Sequence, residues 1–278
     1  FDATVENCYS YATISAEYGG GGIVSAGTSS TKNPAVNIIN CYYNGVLKPK
    51  GTTYMSGIYG GSNAAIENSY YNSDNCKYGN TKYAMSDADF KSGVVAYLLN
   101  GDQSTITYGQ TIGTEDYPVF GGARVYGGYE NCESDTLIAT NDSSIVLNQT
   151  TGHAWEYSAS GTTITATCTQ PVCSIADRTE TITIEALDIS SLTYNGETKS
   201  IKVIESVVGL IPYQVEYVDG NSNQLFDIPK LIGTYTGSIT LGDQTISVTY
   251  EITKAVLEGT PEASVEFGRN PEETEITG

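Results

Sequence analysis

Val5-Glu6-Asn7-Cys8-Tyr9, Ile38-Ile39-Asn40-Cys41-Tyr42 and Ile66-Glu67-Asn68-Ser69-Tyr70 repeat one pattern, apolar, any, Asn, Cys or Ser, Tyr, at offsets of 33 and then 28 residues. A second motif alternates with it: Gly20-Gly21-Gly22-Ile23-Val24-Ser25 and Ser56-Gly57-Ile58-Tyr59-Gly60-Gly61. Each unit reads as two or more short strands separated by Gly and Asn turns. A unit of about 30 residues cannot bury its apolar face alone, so the physical solution is to stack coils with like residues aligned. The pattern therefore predicts a β-solenoid, with parallel strands over residues 1 to about 80. Stacked Asn side chains are expected to bond along the ladder at the turns, and Tyr rings to pack on one another. Which motif side chains face inward stays open, because turns reset the alternation.

Composition agrees with strands. Of the 278 residues, 22 are Tyr against 5 Phe and 1 Trp. Thr, Ser, Gly and Asn fill much of the remainder, which favours pleated strands and tight turns. The fold class read from this is all-β, with length for roughly two domains of ordinary size. The formal net charge of -19 opposes any polyanionic partner, which excludes nucleic acid. Residues 1–130 carry a net -4 and residues 131–278 a net -15, so the two halves are expected to be differently built. No apolar run reaches the ~18 residues that cross a bilayer, so no membrane insertion is expected in this segment. The chain opens at Phe1-Asp2 without a signal-peptide pattern and reads as cut from a longer protein.

One helix is expected after the last copy. Ser86 can cap it, Asp87 and Asp89 complement its dipole, Phe90, Val94 and Leu98 with Val95 and Leu99 form its stripe, and Gly101 can end it. Its expected use is to cover the exposed last coil. From about residue 129 the pattern changes to alternating strands, Thr163–Cys168 and Thr181–Ala186, which pair as a hairpin in this reading. Cys168 and Cys173 flank a short loop that a disulfide could close. Short strands with turns follow from Leu192 to Tyr250 and suggest a small sandwich. Gly233-Thr234-Tyr235 reads as a corner whose Tyr hydroxyl bonds back to the chain.

Asn-Cys-Tyr followed by Gly-Gly-Ile-Val and again by Asn-Cys-Tyr-Tyr-Asn-Gly resembles the GLUG motif, which occurs in arrays in secreted and surface proteins of bacteria. The resemblance covers about residues 1–72. The third copy departs from it, with Ser69 in place of Cys. The stretch from Tyr108 through Phe120 resembles the closing segment that follows such arrays. Leu192-Thr193-Tyr194-Asn195-Gly196-Glu197, the strand around Tyr217 and the stretch from Pro229 to Ala255 resemble the MBG-type immunoglobulin-like modules of bacterial surface proteins. Together these imply four parts: a solenoid with its terminal capping helix at 1–128, a small β unit at 129–186, an immunoglobulin-like module at 187–254, and an acidic tail or the start of another module at 255–278. The resemblance implies an extracellular or cell-surface location, no cofactor, and a non-catalytic adhesin or scaffold with a glycan or a host surface protein as partner.

The candidate chemistry is sparse. His153 is the only histidine and no nucleophile motif accompanies it in sequence, so Ser/His/Asp and Cys/His catalysis lack a base. Six cysteines without a CxxC, beside one His, fit neither a disulfide framework nor a zinc site, so no metal is expected. Asp219-Gly220-Asn221-Ser222-Asn223 begins like a calcium loop but has Gln224 and Lys230 where an EF-hand needs Gly and Glu, so a polar turn is expected. The alternative function is a polysaccharide-active β-helix enzyme, which would need a cleft of convergent carboxylates. The binding candidates are Tyr42, Tyr43, Tyr70 and Tyr71, paired so that one ring lies on each face of a strand and some rings are expected to be exposed.

Overall fold

A computed structural model describes residues 3–17, 19–25, 36–51, 55–61, 64–101, 105–255, 262–263 and 276–277. Most of the proposed tail at 255–278 lies outside the described residues. The structure is built mainly of strands. The chain forms two compact units: Phe1–His153 with Gln170–Ser174, and Ala154–Thr169 with Ile175–Gly278. Residues 129–186, read from sequence as a part of their own, contribute to both.

In the first unit the repeated motif sets the register. Strands β1 (Ala3–Glu6), β2 (Tyr9–Ser10), β3 (Ile14–Ala16), β4 (Gly20–Gly21) and β5 (Val24–Ser25) make one pass. The next pass comprises β6 (Val36–Ile39), β7 (Tyr42–Tyr43), β8 (Leu47–Pro49), β9 (Met55–Ser56) and β10 (Tyr59–Gly60). Strands β11 (Ala64–Glu67), β12 (Tyr70–Asn72) and β13 (Ala84–Met85) follow. Every pairing among these strands is parallel: β1-β6-β11, β2-β7-β12-β13, β3-β8, β4-β9 and β5-β10. The register aligns Val5 with Ile38 and Ile66, and Tyr9 with Tyr42 and Tyr70, as the motif phase requires.

The motif Asn has a backbone role. Asn7, Asn40 and Asn68 adopt φ of 53°, 53° and 41°, the left-handed region that Asn tolerates better than other side-chain-bearing residues. Each makes the corner between two strands. The expected ladder of Asn side chains is not what the corners use, since the side-chain oxygens of Asn7 and Asn40 have no hydrogen-bond partner. The corner is instead closed by the next residue. Cys8 Sγ donates to Glu6 O at 3.2 Å, Cys41 Sγ to Ile39 O at 3.1 Å and Ser69 Oγ to Glu67 O at 2.8 Å. A thiol and a hydroxyl do the same work there, which explains why Ser69 can stand in the third copy.

Glycine in the second motif serves the tyrosines. A Cβ at Gly22 would clash with the Tyr43 ring and with the Gly57 carbonyl oxygen, and one at Gly57 would clash with the Tyr71 ring. The two glycines follow the aligned pairs Gly20–Met55 and Gly21–Ser56, so the ring-on-glycine contact recurs on successive passes. Tyr43, Tyr71, Ile38, Leu47, Met55 and Ile58 form one buried cluster.

The helical region differs from its expectation. Instead of one helix there are two, α1 (Asp87–Lys91) and α2 (Val94–Asn100), because Gly93 takes a φ of +86° between them. Ser86 caps α1 in a full capping box with Asp89. Phe90, Val94, Val95 and Leu99 are buried, while Leu98 is only half-buried. Phe90, Val95 and Leu99 pack on Tyr42 and Tyr108, with Tyr70 beside them. The helices thus lie along the side of the tyrosine ladder. Tyr108 opens the hairpin of β14 (Tyr108–Gly109) and β15 (Val119–Phe120). Buried Asn100 holds that hairpin by donating to Tyr108 O and accepting from the backbone N–H groups of Thr107 and Tyr108. Strands β16 (Tyr126–Tyr129) and β17 (Leu137–Thr140) pair antiparallel further on.

The two four-stranded sheets of the second unit are antiparallel. One four-stranded sheet runs β18 (Trp155–Ser160), β19 (Thr163–Cys168), β20 (Thr179–Glu185) and β21 (Lys202–Glu205). The expected hairpin is there, with Ile164 opposite Ile182. The other sheet orders β23 (Gln224–Leu225), β22 (Glu216–Asp219), β24 (Gly233–Leu241) and β25 (Gln244–Ile252). Alternate residues of both sheets, among them Ile164, Ile182, Ile184, Ile239, Ile246 and Ile252, fill a single core. Tyr235 Oη donates to Leu231 O at 3.0 Å, the corner read from sequence.

Candidate functional site

The paired tyrosines are part of the interior. Tyr42 and Tyr43 are fully buried and Tyr71 is nearly so, while Tyr70 is half-buried. The alternation of a strand does put the two rings of β7 on opposite faces, but both faces are covered. Tyr42 meets Phe90 and Tyr108, and Tyr43 lies over Gly22. Burial pushes the Tyr43 phenol up to about 12 and raises those of Tyr42, Tyr70 and Tyr71. Tyr42 Oη donates to Pro118 O at 2.6 Å, so at the 2.6 Å contact with Tyr11 it accepts and Tyr11 donates. Tyr42, Tyr43 and Tyr71 therefore offer no ring face to a ligand.

The exposed rings are others. Tyr9, Tyr11 and Phe120 are 38%, 46% and 51% exposed and touch one another through Tyr9. Tyr9 stacks on Tyr42 at 5.1 Å between centroids, 11° from parallel, so the ladder that buries Tyr42 also fixes Tyr9. The Tyr11 ring stands edge-on to Tyr9 and Tyr117, tethered by its bond to Tyr42. Phe120 is carried by β15 and leans on Tyr108 at 5.1 Å. Three rings are thus held rigid, with one face or edge of each in solvent. Such amphipathic rings give contact area at low entropic cost.

Carboxylates do not converge among the described residues. Two open hollows on the first unit, one along Met55, Tyr59, Ile66 and Tyr83 and one along Tyr97, Asn100 and Arg124, are lined without an acid. A hollow on the second unit has Glu216 alone. Where carboxyl groups are displaced from their ordinary range they are displaced downward. Asp87 is held down first by Lys91, Asp142 by the Ser144 hydroxyl, Glu205 by Tyr213 and Asp219 by the Asn223 side chain. Asp219 also accepts the backbone N–H groups of Asn221 and Asn223, the polar turn expected of that loop. A glycosidase acid needs the opposite shift.

His153 is not isolated in space. Its Nδ1 stands 3.6 Å from Cys173 Sγ, and the ligand atoms of Cys132, His153 and Cys173 lie within 4.8 Å of one another. Sequence spacing concealed this, because residues 21 and 20 positions apart meet only when the hairpin-rich end of the unit closes.

Comparison with protein-family models, curated proteins and solved structures returned no match. Among the described residues no helix is long and apolar enough to cross a membrane.

Proposed function

We propose that this chain is a non-catalytic, extracellular binding segment of a bacterial surface protein, with a GLUG-type β-solenoid as the scaffold and the Tyr9, Tyr11 and Phe120 rings as its glycan-binding face. The parallel ladders, in register at the motif residues, support the solenoid reading. The two antiparallel sheets around one core support an immunoglobulin-like module, with strands from 154–185 included in it. The observation that carries the functional reading is the exposed, mutually supporting aromatic cluster on an otherwise buried tyrosine ladder. Flat apolar sugar faces stack on such rings, and fixed rings lose little freedom on binding. The absence of converging carboxylates in the described hollows favours binding over hydrolysis. The test is a glycan array probed with the full chain and with the Tyr11→Ala/Phe120→Ala variant. Binding by the wild type that the variant loses supports the proposal, and equal binding by both, or by neither, refutes it.

A further inference from the structure

The end of the first unit gathers the only histidine of the chain with two cysteines. All the supporting contacts lie within that unit. Buried Asn148 bridges backbone-to-backbone with Tyr129, at 2.8 and 2.9 Å. Its side chain donates to Val172 O at 2.7 Å and accepts from Val172 N at 2.8 Å, which pins the Cys173 segment. Gly152 N donates to Cys132 O at 2.8 Å, which sets the neighbouring His153 against Cys132. Buried Gln170 donates to Thr150 Oγ1 at 2.6 Å and draws the same loop in. Three separate stretches of chain are therefore fixed so that two sulfurs and an imidazole nitrogen converge.

We propose that Cys132, His153 and Cys173 form a structural site for a thiophilic divalent metal, zinc foremost. Tetrahedral zinc with Zn–S of about 2.3 Å and Zn–N of about 2.0–2.1 Å places its sulfur and nitrogen ligands roughly 3.5 Å apart, close to the 3.6 Å between Cys173 Sγ and His153 Nδ1. The 4.8 Å limit on the remaining separations is closed by small side-chain rotations. All six cysteines stand as thiols in the structure. On binding, each ligating thiol releases its proton to solvent, and Cys132 exchanges its 3.1 Å S–H···O bond to Val172 for the metal. Two thiolates then balance the dication. Asn148 Nδ2, 3.7 Å from Cys132 Sγ, is placed to donate to the thiolate, as outer-shell amides do. A tetrahedral site needs a fourth ligand, a position that water can fill beside the three side chains of the first unit.

The test uses the full chain, reduced and stripped of metal. Zinc is titrated against a chromophoric chelator, and cobalt(II) serves as the spectroscopic probe. One equivalent of metal should bind, with a thiolate-to-cobalt charge-transfer band and tetrahedral d–d bands. The Cys132→Ser/Cys173→Ser variant should lose both bands. His153→Ala should bind at least about tenfold more weakly, since even outer-shell changes cost 10–100-fold. Cys8→Ser, a thiol outside the cluster, should bind like the wild type. Failure of the reduced wild type to take up stoichiometric zinc overturns the proposal, as does cobalt binding that survives loss of Cys132 and Cys173 or that is lost with Cys8. Purification of the chain with Cys132 and Cys173 joined by a disulfide, with no zinc uptake after reduction, overturns it as well.

Discussion

The Tyr43 ring lies directly on Gly22, so closely that a Cβ at that position would clash with the ring as well as with the Gly57 carbonyl oxygen. Tyr71 repeats the relationship with Gly57. The consequence is that the two repeated motifs are one packing unit, ring and seat. Replacing Gly22 or Gly57 by Ala should destabilise the first unit by about 1–3 kcal/mol, the usual cost of overpacking a tight interior. Denaturant melts of each variant check this, and an unchanged midpoint would show that the backbone yields at no cost.

The Asn corners make a separate prediction. Because Asn40 sits at φ 53°, Asn40→Gly should be tolerated while Asn40→Val should lose about 1–3 kcal/mol. Side-chain bonding would instead make both variants equally harmful. Thermal melts of the pair distinguish the two.

Phe90 and Leu98 should not behave alike. Phe90 is fully buried against Tyr42, so Phe90→Ala should cost ~3–5 kcal/mol in the first unit. Leu98 is half-buried, and Leu98→Ala should cost less than half as much. The second unit has its own core and should keep its transition in both variants. Calorimetry of the full chain reads the two transitions together.

Asp87 sets an acid dependence. Lys91 at 2.7 Å, with Asn72 and Tyr117, holds its carboxyl below the ordinary 3.8. A depressed folded value means that the stabilisation is complete above the unfolded pKa and is lost as pH falls through the folded one. The melting temperature of the first unit should therefore drop below about pH 4 more steeply in the wild type than in Asp87→Asn, with the two curves converging at low pH. Parallel curves would remove Asp87 from the account.

Much of this architecture is legible in the sequence where a local rule and a global one coincide. The phrase around Asn7, Asn40 and Asn68 carries both a backbone conformation and a repeat period, so register follows from it. The start of α1 at Ser86 is legible for the same reason. The break at Gly93 was not, because the apolar stripe runs through it and only tertiary space decides: a Cβ there would meet Ile112 at 2.7 Å. Ring packing along the ladder is legible, but which candidate rings are exposed is not, because alternation tells which side a ring takes, whereas exposure depends on what covers that side, here α1, α2 and a hairpin distant in sequence. The convergence of thiols on His153 is not legible, because ligand rules look for short spacings. Three of the six cysteines and the only His fall within residues 132–173, a clustering that spacing motifs do not register.

The central claim is that the buried tyrosines build the scaffold and the exposed rings bind. Measuring melting and glycan affinity on one variant, Tyr11→Ala/Phe120→Ala, separates the two roles. The account predicts a melting temperature near the wild type and an affinity reduced tenfold or more, equivalent to about 1.4 kcal/mol. Undiminished affinity in a folded variant would contradict it.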